Sequence, residues 1–349
     1  MQIQVRSTSA LTVALGVSMA ASLPLPSEAS ETTLRFADWL PTSHYVVEEG
    51  IQPWMEDVEE ASDSSIKFDY YPAEQIGDAS EMLSLVRSGV ADVVHLSPAY
   101  LSDKLPLSGV AELPGLFERV CDGTHAVQQL LTPGSEVHET EYAERGVRVL
   151  WAHTYEPYRI VTVDPPVRTM EDLSGLRIRS AGGSMSTTAR NVGAVPMDMT
   201  GPEMLQSMQR GTLDGTFAPL LSLYPFDLQT VLNYITTDGS MASFVSVYAI
   251  SERAWNELDA EQQAVLEETS RAAAQRTCEW IDTASEQIVE RLESDGLEAV
   301  EMEPGDLEEL NRGLEKARAE WVETMEDSGR PASEVLSTFN DAVAERQSQ

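Results

Sequence analysis

The sequence predicts an α/β protein with two similar lobes, and three observations carry that expectation. Strand and helix signals alternate along the chain from about residue 31. A helix–glycine–strand unit recurs once in recognisably similar form, and residues 253–295 contain neither Gly nor Pro, room for one long helix. The 349 residues, 42% of them hydrophobic, exceed one ordinary core and can bury two.

In order, 34–37 reads as a short apolar strand, 45–61 as a helix, 66–71 as a strand, and 79–87 as a helix ending at Gly89. Residues 90–96 form a buried strand, followed by helical patterns through Leu131 and over 134–145, then strands at 147–153 and 159–163. Residues 297–302 add a strand, and helices over 304–326 and 332–346 close the chain. Helices between strands are crossovers, which place ligand sites at strand ends.

The repeat lays Leu83-Ser-Leu-Val-Arg-Ser-Gly89-Val-Ala-Asp92 over Leu205-Gln-Ser-Met-Gln-Arg-Gly211-Thr-Leu-Asp214. In both, an amphipathic helix stops at a Gly suited to the left-handed cap, and three residues later an Asp enters a strand. Asp259 with Gln262 forms a capping-box pattern, opening a helix with room to run to Glu293. At full length, on the order of 50 Å, it would cross both lobes. Two helices separated by a bend are the alternative.

Charge excludes whole classes of partner. With 23 basic and 58 acidic residues the formal charge is −35, which repels nucleic-acid backbones and anionic lipid. Lys67, Lys104 and Lys316 are the only lysines, and an acid-rich, lysine-poor surface suits high salt. Arg6 followed by apolar residues 10–23, with small Ser27 and Ala29, reads as a signal peptide over 1–29, with an uncleaved anchor as the alternative. Beyond it no apolar run nears the roughly 20 residues of a membrane span, so an exported, soluble mature chain is expected, with no direct membrane insertion. Cys121 and Cys278 are open to two readings, a disulfide or two buried thiols.

No enzyme signature emerges. Gly182-Gly-Ser-Met-Ser186 lacks the second glycine of a nucleophile elbow. His44, His95 and His153 fall near strand ends without metal-ligand spacing, so neither metal nor cofactor is expected. In Leu176-Arg-Ile-Arg179 alternation puts Arg177 and Arg179 on one face before the Gly182–Gly183 loop. An arginine there either offers its donor fork to a carboxylate or forms a surface ion pair.

Glu171-Asp-Leu-Ser-Gly-Leu-Arg-Ile-Arg179, Gly193-Ala-Val-Pro196 and Glu203 to Gly215, with Leu34 to Trp39, Ser43-His44 and Tyr71 to Gly77, carry a family resemblance. Across essentially the whole mature chain, the sequence resembles the extracytoplasmic solute-binding subunits of TRAP transporters, of the DctP type. That resemblance implies a two-lobed periplasmic-binding-protein fold, with a ligand cleft between lobes and a long helix crossing both. It implies residues 30–155 plus about 243–280 in lobe I, 156–242 plus about 281–330 in lobe II, and a C-terminal helix over 331–349. The function implied is capture of a small organic solute in the periplasm, by lobe closure, and delivery to membrane permease subunits.

The family's carboxylate-holding arginine falls on Arg179, and a second, found in some sialic-acid binders, on Arg159. Other pocket positions fall on Trp39, Ser97, Tyr100 and Ala218, with Phe217 adjacent, and Glu156 and Asp238 lie on segments that approach the cleft. Ala218 replaces the polar side chain often found there. A carboxylate-bearing solute is the leading expectation. An amine, amino alcohol or zwitterion in a box of aromatics and carboxylates is the alternative. A secreted hydrolase or lyase, and a sensory receptor using the same cleft, are the competing classes.

Overall fold

The computed structural model describes residues 1–4 and 31–348; most of the expected signal segment lies outside the described residues. Among residues 31–348 the strands are β1 (Thr32–Ala37), β2 (Ile66–Tyr71), β3 (Val93–Leu96) and β4 (Val147–Thr154). Then come β5 (Arg159–Thr162), β6 (Arg177–Ser180), β7 (Val195–Asp198), β8 (Gly215–Ala218) and β9 (Tyr234–Thr236), and finally β10 (Val245–Ser251) and β11 (Glu298–Val300). They form two sheets, ordered β2-β1-β3-β10-β4 and β11-β9-β5-β8-β6-β7, one in each lobe.

The two sheets share a plan. β1 pairs in parallel with β2 and β3, as β6 does with β7 and β8. In the first lobe Asp92 accepts from the Arg35 backbone N–H at 3.1 Å and from its Nε at 2.9 Å. In the second, Asp214 accepts from the Arg177 backbone N–H at 2.8 Å and its Nε at 2.9 Å. The aspartates that end the sequence repeat thus pin the entry of β3 to β1 and of β8 to β6 by the same constellation. Gly89 and Gly211 hold the left-handed turn just before, at φ 76° and 67°.

Each lobe also takes one antiparallel strand that arrives from the other. β4 of the first sheet leads into β5 of the second, which runs antiparallel to β8 and β9. β9 then leads back into β10, antiparallel to β3 and β4. Every residue of β10 is buried, so it shows no polar alternation and escapes a period-two reading.

The capping box at Asp259 and Gln262 opens the helix Ala260–Ser285, but this helix does not continue to Glu293. A break at Glu286–Gln287 separates it from Ile288–Ser294. The Ser285 hydroxyl donates to the Ile281 carbonyl at 2.7 Å, competing with the helical ladder at the break. The long helix packs on the helices Gln52–Ala61 and Val120–Leu131 and on β4, and also meets the turn Leu220–Leu223. A disulfide between Cys121 and Cys278 ties it to Val120–Leu131. Helix Pro304–Asp327 packs on Gly183–Asn191, where a side chain at Gly313 would meet the Asn191 carbonyl at 2.9 Å. Helix Ala332–Gln347 returns to Val120–Leu131. Among the described residues no helix is long and apolar enough to cross a membrane.

Candidate functional site

The turn that follows β3 meets β6 across the gap between the sheets. After Leu96, Ser97 leads into the short turn Pro98–Leu101, which directs Tyr100 toward the second lobe. Arg179, near the end of β6, is 3% exposed. Its Nε donates to the Met199 carbonyl and its Nη2 to the Tyr100 hydroxyl, both at 3.1 Å. The Gly201 backbone N–H donates to the same Tyr100 oxygen at 2.9 Å.

Those contacts set the polarity of the site. A phenol oxygen has two acceptor positions and one hydrogen. Both acceptor positions of Tyr100 are taken by N–H donors, so its hydrogen is available only to a further acceptor. Arg179 Nη1 has no protein partner among the described residues.

These groups border a narrow hollow of about 30 Å³ between the lobes. Its walls are aromatic: Trp39, Tyr100, Tyr155, Tyr158, Phe226 and Phe244. The Trp39 Nε1–H is buried without an acceptor. Ala218 lines it on the β8 side. His44 is also in the wall, and burial pushes its pKa well below the usual imidazole range, so it is neutral. Its Nδ1 accepts from Val46 N–H at 3.2 Å, which leaves the ring hydrogen on Nε2, 3.4 Å from the Ser222 hydroxyl. Among the described residues that line this wall, Arg179 is the charged one and none is a carboxylate.

Of the residues singled out in the sequence, Arg179, Trp39, Tyr100 and Ala218 come together here. Five do not line the hollow. Phe217 is fully buried in the core, because alternation along β8 turns it away from the face that Ala218 presents. Ser97 is also fully buried, with an unpartnered hydroxyl. Asp238 accepts from Met302 N–H at 2.7 Å and so ties down the strand-end loop after β9. Arg159 turns to the Gly239 carbonyl. With Glu156 it borders a separate hollow beside Glu118, Arg119 and Asp282. Glu156 Oε1 accepts from Leu221 N–H at 3.0 Å, and burial raises its carboxyl pKa to about 7. The box of carboxylates expected for an amine is therefore not assembled around the aromatic hollow.

The residues missed by sequence reasoning are mainly aromatic. Tyr155 and Tyr158 sit between β4 and β5, and Phe244 between β9 and β10. These are the two segments that pass between lobes, so aromatics clustered at the sheet-changing positions were the available signal.

A family model described as bacterial extracellular solute-binding protein, family 7, matches residues 36–324. The chain belongs to that family. Among relatives of this solute-binding protein, the ectoine-binding periplasmic protein TeaA of Halomonas elongata is 23% identical, covering 84% of each chain. The C4-dicarboxylate-binding periplasmic protein DctP of Rhodobacter capsulatus is 23% identical over 98% of this chain and 94% of its own. A TRAP periplasmic solute-binding protein from Bordetella bronchiseptica, crystallised with bound (R)- and (S)-mandelate, superposes with a TM-score of 0.82 at 25% identity. That match covers 90% of this chain and 99% of the other. TRAP solute-binding proteins of family 7 bind small solutes, work with a membrane permease and are not enzymes.

Asp38, His95 and Ser246 do stand in hydrogen-bond sequence, in the manner of an acid–base–nucleophile set. Ser246 is fully buried and its hydroxyl is also engaged by Tyr155, so no substrate atom reaches it.

Proposed function

We propose that this family 7 protein is the periplasmic, signal-directed receptor of a TRAP transporter, and that it closes over a small carboxylate with a ring-shaped or apolar body. We assign lobe I to 30–155 plus about 243–280 and lobe II to 156–242 plus about 281–330, in keeping with the membership of the two sheets. Closure brings Tyr100 against Arg179, and the loaded form is the one handed to the permease subunits.

The observation that carries the carboxylate is the doubly accepting Tyr100 oxygen. It leaves a phenol hydrogen beside the free Nη1 of Arg179, and both groups seek an acceptor. Desolvation between aromatic walls strengthens such a charge-assisted pair. The mandelate bound by the Bordetella protein has this character, a carboxylate on a ring-bearing body. The stand-off of Glu156 and Asp238 counts against a solute that is only a cation.

The test is a thermal-shift and calorimetric panel of mandelate, benzoate, pyroglutamate, a C4-dicarboxylate, ectoine and choline. A ligand at 100 times its Kd stabilises by about 2.7 kcal/mol. Arg179→Met should weaken the best acid by about 2–5 kcal/mol. Preference for choline over every acid, or an acid indifferent to Arg179→Met, overturns the reading. With a charge of −35 the chain repels an anion at low salt, so added salt should speed association.

A further inference from the structure

A hollow of about 380 Å³ is built entirely from segments assigned to lobe I and shares no residue with the aromatic one. Its size falls in the range of roughly 300–1,000 Å³ common for small-ligand sites. It lies between helix Val120–Leu131, β4 and helix Ala260–Ser285, with Trp255 of the short helix Glu252–Glu257 in its wall. β4 is the outer strand of its sheet, and its pairing with β10 shifts at this level. Trp151 faces Tyr248 and Val149 faces Ala249, so Leu150, which lines the hollow, has no partner on β10.

The polar groups of the wall divide into engaged and free. Gln129 Nε2 meets His125 Nε2 at 2.8 Å and Glu345 at 3.3 Å, and the Thr132 hydroxyl donates to the Gln128 carbonyl at 2.7 Å. Among the described residues Glu267 is the one carboxylate of the wall, and Arg148 Nη2 holds it at 3.2 Å. Gln128 Oε1 accepts from the Ala152 N–H at 3.1 Å, which fixes the amide and leaves its Nε2 without a partner among the described residues. Arg148 keeps Nε and Nη1 free, and the whole guanidinium of Arg271 has neither hydrogen bond nor ion pair among the described residues. Guanidinium and amide nitrogens only donate, at any physiological pH.

Arg148 is also held in place, its guanidinium 4.4 Å above the centre of the Trp255 ring. A group fixed in this way loses little freedom when an anion arrives. Two guanidiniums against one carboxylate make this wall locally positive on a chain whose formal charge is −35. Leu131, Pro133, Val149 and Leu150 supply an apolar bed beside the donors. We propose that this groove is a second binding site, for a small organic acid that seats its anionic head on Arg271, Arg148 and Gln128 and its apolar body on Leu131, Pro133 and Leu150. The site is independent of the carboxylate reading of the aromatic hollow, since no lining residue is common to both.

The experiment is calorimetry on the full chain carrying Arg179→Met, which disables the aromatic hollow, at about pH 7.5 and about 0.15 M salt. Three probes share one ring system: indole-3-acetate is an anion, tryptophol is neutral and tryptamine is a cation. The overall charge of the chain favours tryptamine, so a preference for the anion reports the local wall. Indole-3-acetate should bind saturably, one per chain, and more tightly than either of the others. Adding Arg271→Gln should weaken it roughly tenfold, the worth of a charge-assisted hydrogen bond. Thr132→Trp, at an exposed position of the wall, should fill the hollow and weaken it without altering charge. Tryptophol or tryptamine binding as tightly as the acid, an acid indifferent to both added substitutions, or no saturable binding at all overturns the inference. Failure of the carboxylate reading shows separately, as acid binding to the unaltered protein that Arg179→Met does not change while Arg271→Gln still does.

Discussion

Arg179 and Tyr100 meet across the cleft: the guanidinium Nη2, on β6 of one lobe, donates to the phenol oxygen carried by the turn after β3 of the other, at 3.1 Å. The contact joins the group that would hold the solute to the movement that would enclose it. An arginine already oriented by Tyr100 and by the Met199 carbonyl loses little further freedom when a carboxylate arrives.

Tyr100→Phe should therefore loosen closure. In the closed form it strands both Arg179 Nη2 and the Gly201 N–H, at a cost of about 1–3 kcal/mol for each buried donor left unpaired. Ligand affinity should fall by a comparable amount, and small-angle scattering of the ligand-saturated variant should report a larger radius of gyration. Unchanged affinity and an unchanged radius would show that the contact does not support closure.

Glu112 carries a pH signature. Burial raises its carboxyl pKa from 4.5 to about 8, against the lowering influence of the Ala99 and Val245 N–H donors and of Arg179. Between those values the native protein keeps a proton that the unfolded chain has lost. Its contribution to stability is therefore full below about 4.5 and is lost as pH rises through about 8. Buried Glu156, raised to about 7, acts in the same direction. Glu112→Gln should flatten the fall in Tm between pH 5 and 9; a slope equal to that of the unaltered protein would contradict the assignment.

The Cys121–Cys278 bridge closes a loop across a sequence separation of 157 residues. Loops of this length give typical contributions of about 2–5 kcal/mol. Cys121→Ser with Cys278→Ser should lower the urea midpoint accordingly, and a reductant should reproduce the loss in the unaltered protein. Equal midpoints with and without reductant would mean that the bridge adds nothing.

Much of the fold is legible in local pattern. The Gly89–Asp92 and Gly211–Asp214 units mark equivalent strand entries because a left-handed turn and a carboxylate for the neighbouring strand are short-range requirements. The Asp259 cap marks a helix start for the same reason. The helix end at Ser285 is not legible, since no Gly or Pro stands there and a serine hydroxyl competes for a carbonyl instead. Nor is β10, which is buried throughout and has no polar face.

The candidate site divides along the same line. By itself the sequence determined the repeated strand–helix units, the acidic surface and the arginine at the end of β6, because each depends on residues near one another in the chain. Only the tertiary structure decided that Tyr155, Tyr158, Phe226 and Phe244 join Trp39 around Arg179 while Glu156, Arg159 and Asp238 bond elsewhere. It alone decided that the two cysteines pair. Those outcomes depend on how two sheets face each other and on which acceptor each side chain reaches first, and spacing along a chain encodes neither.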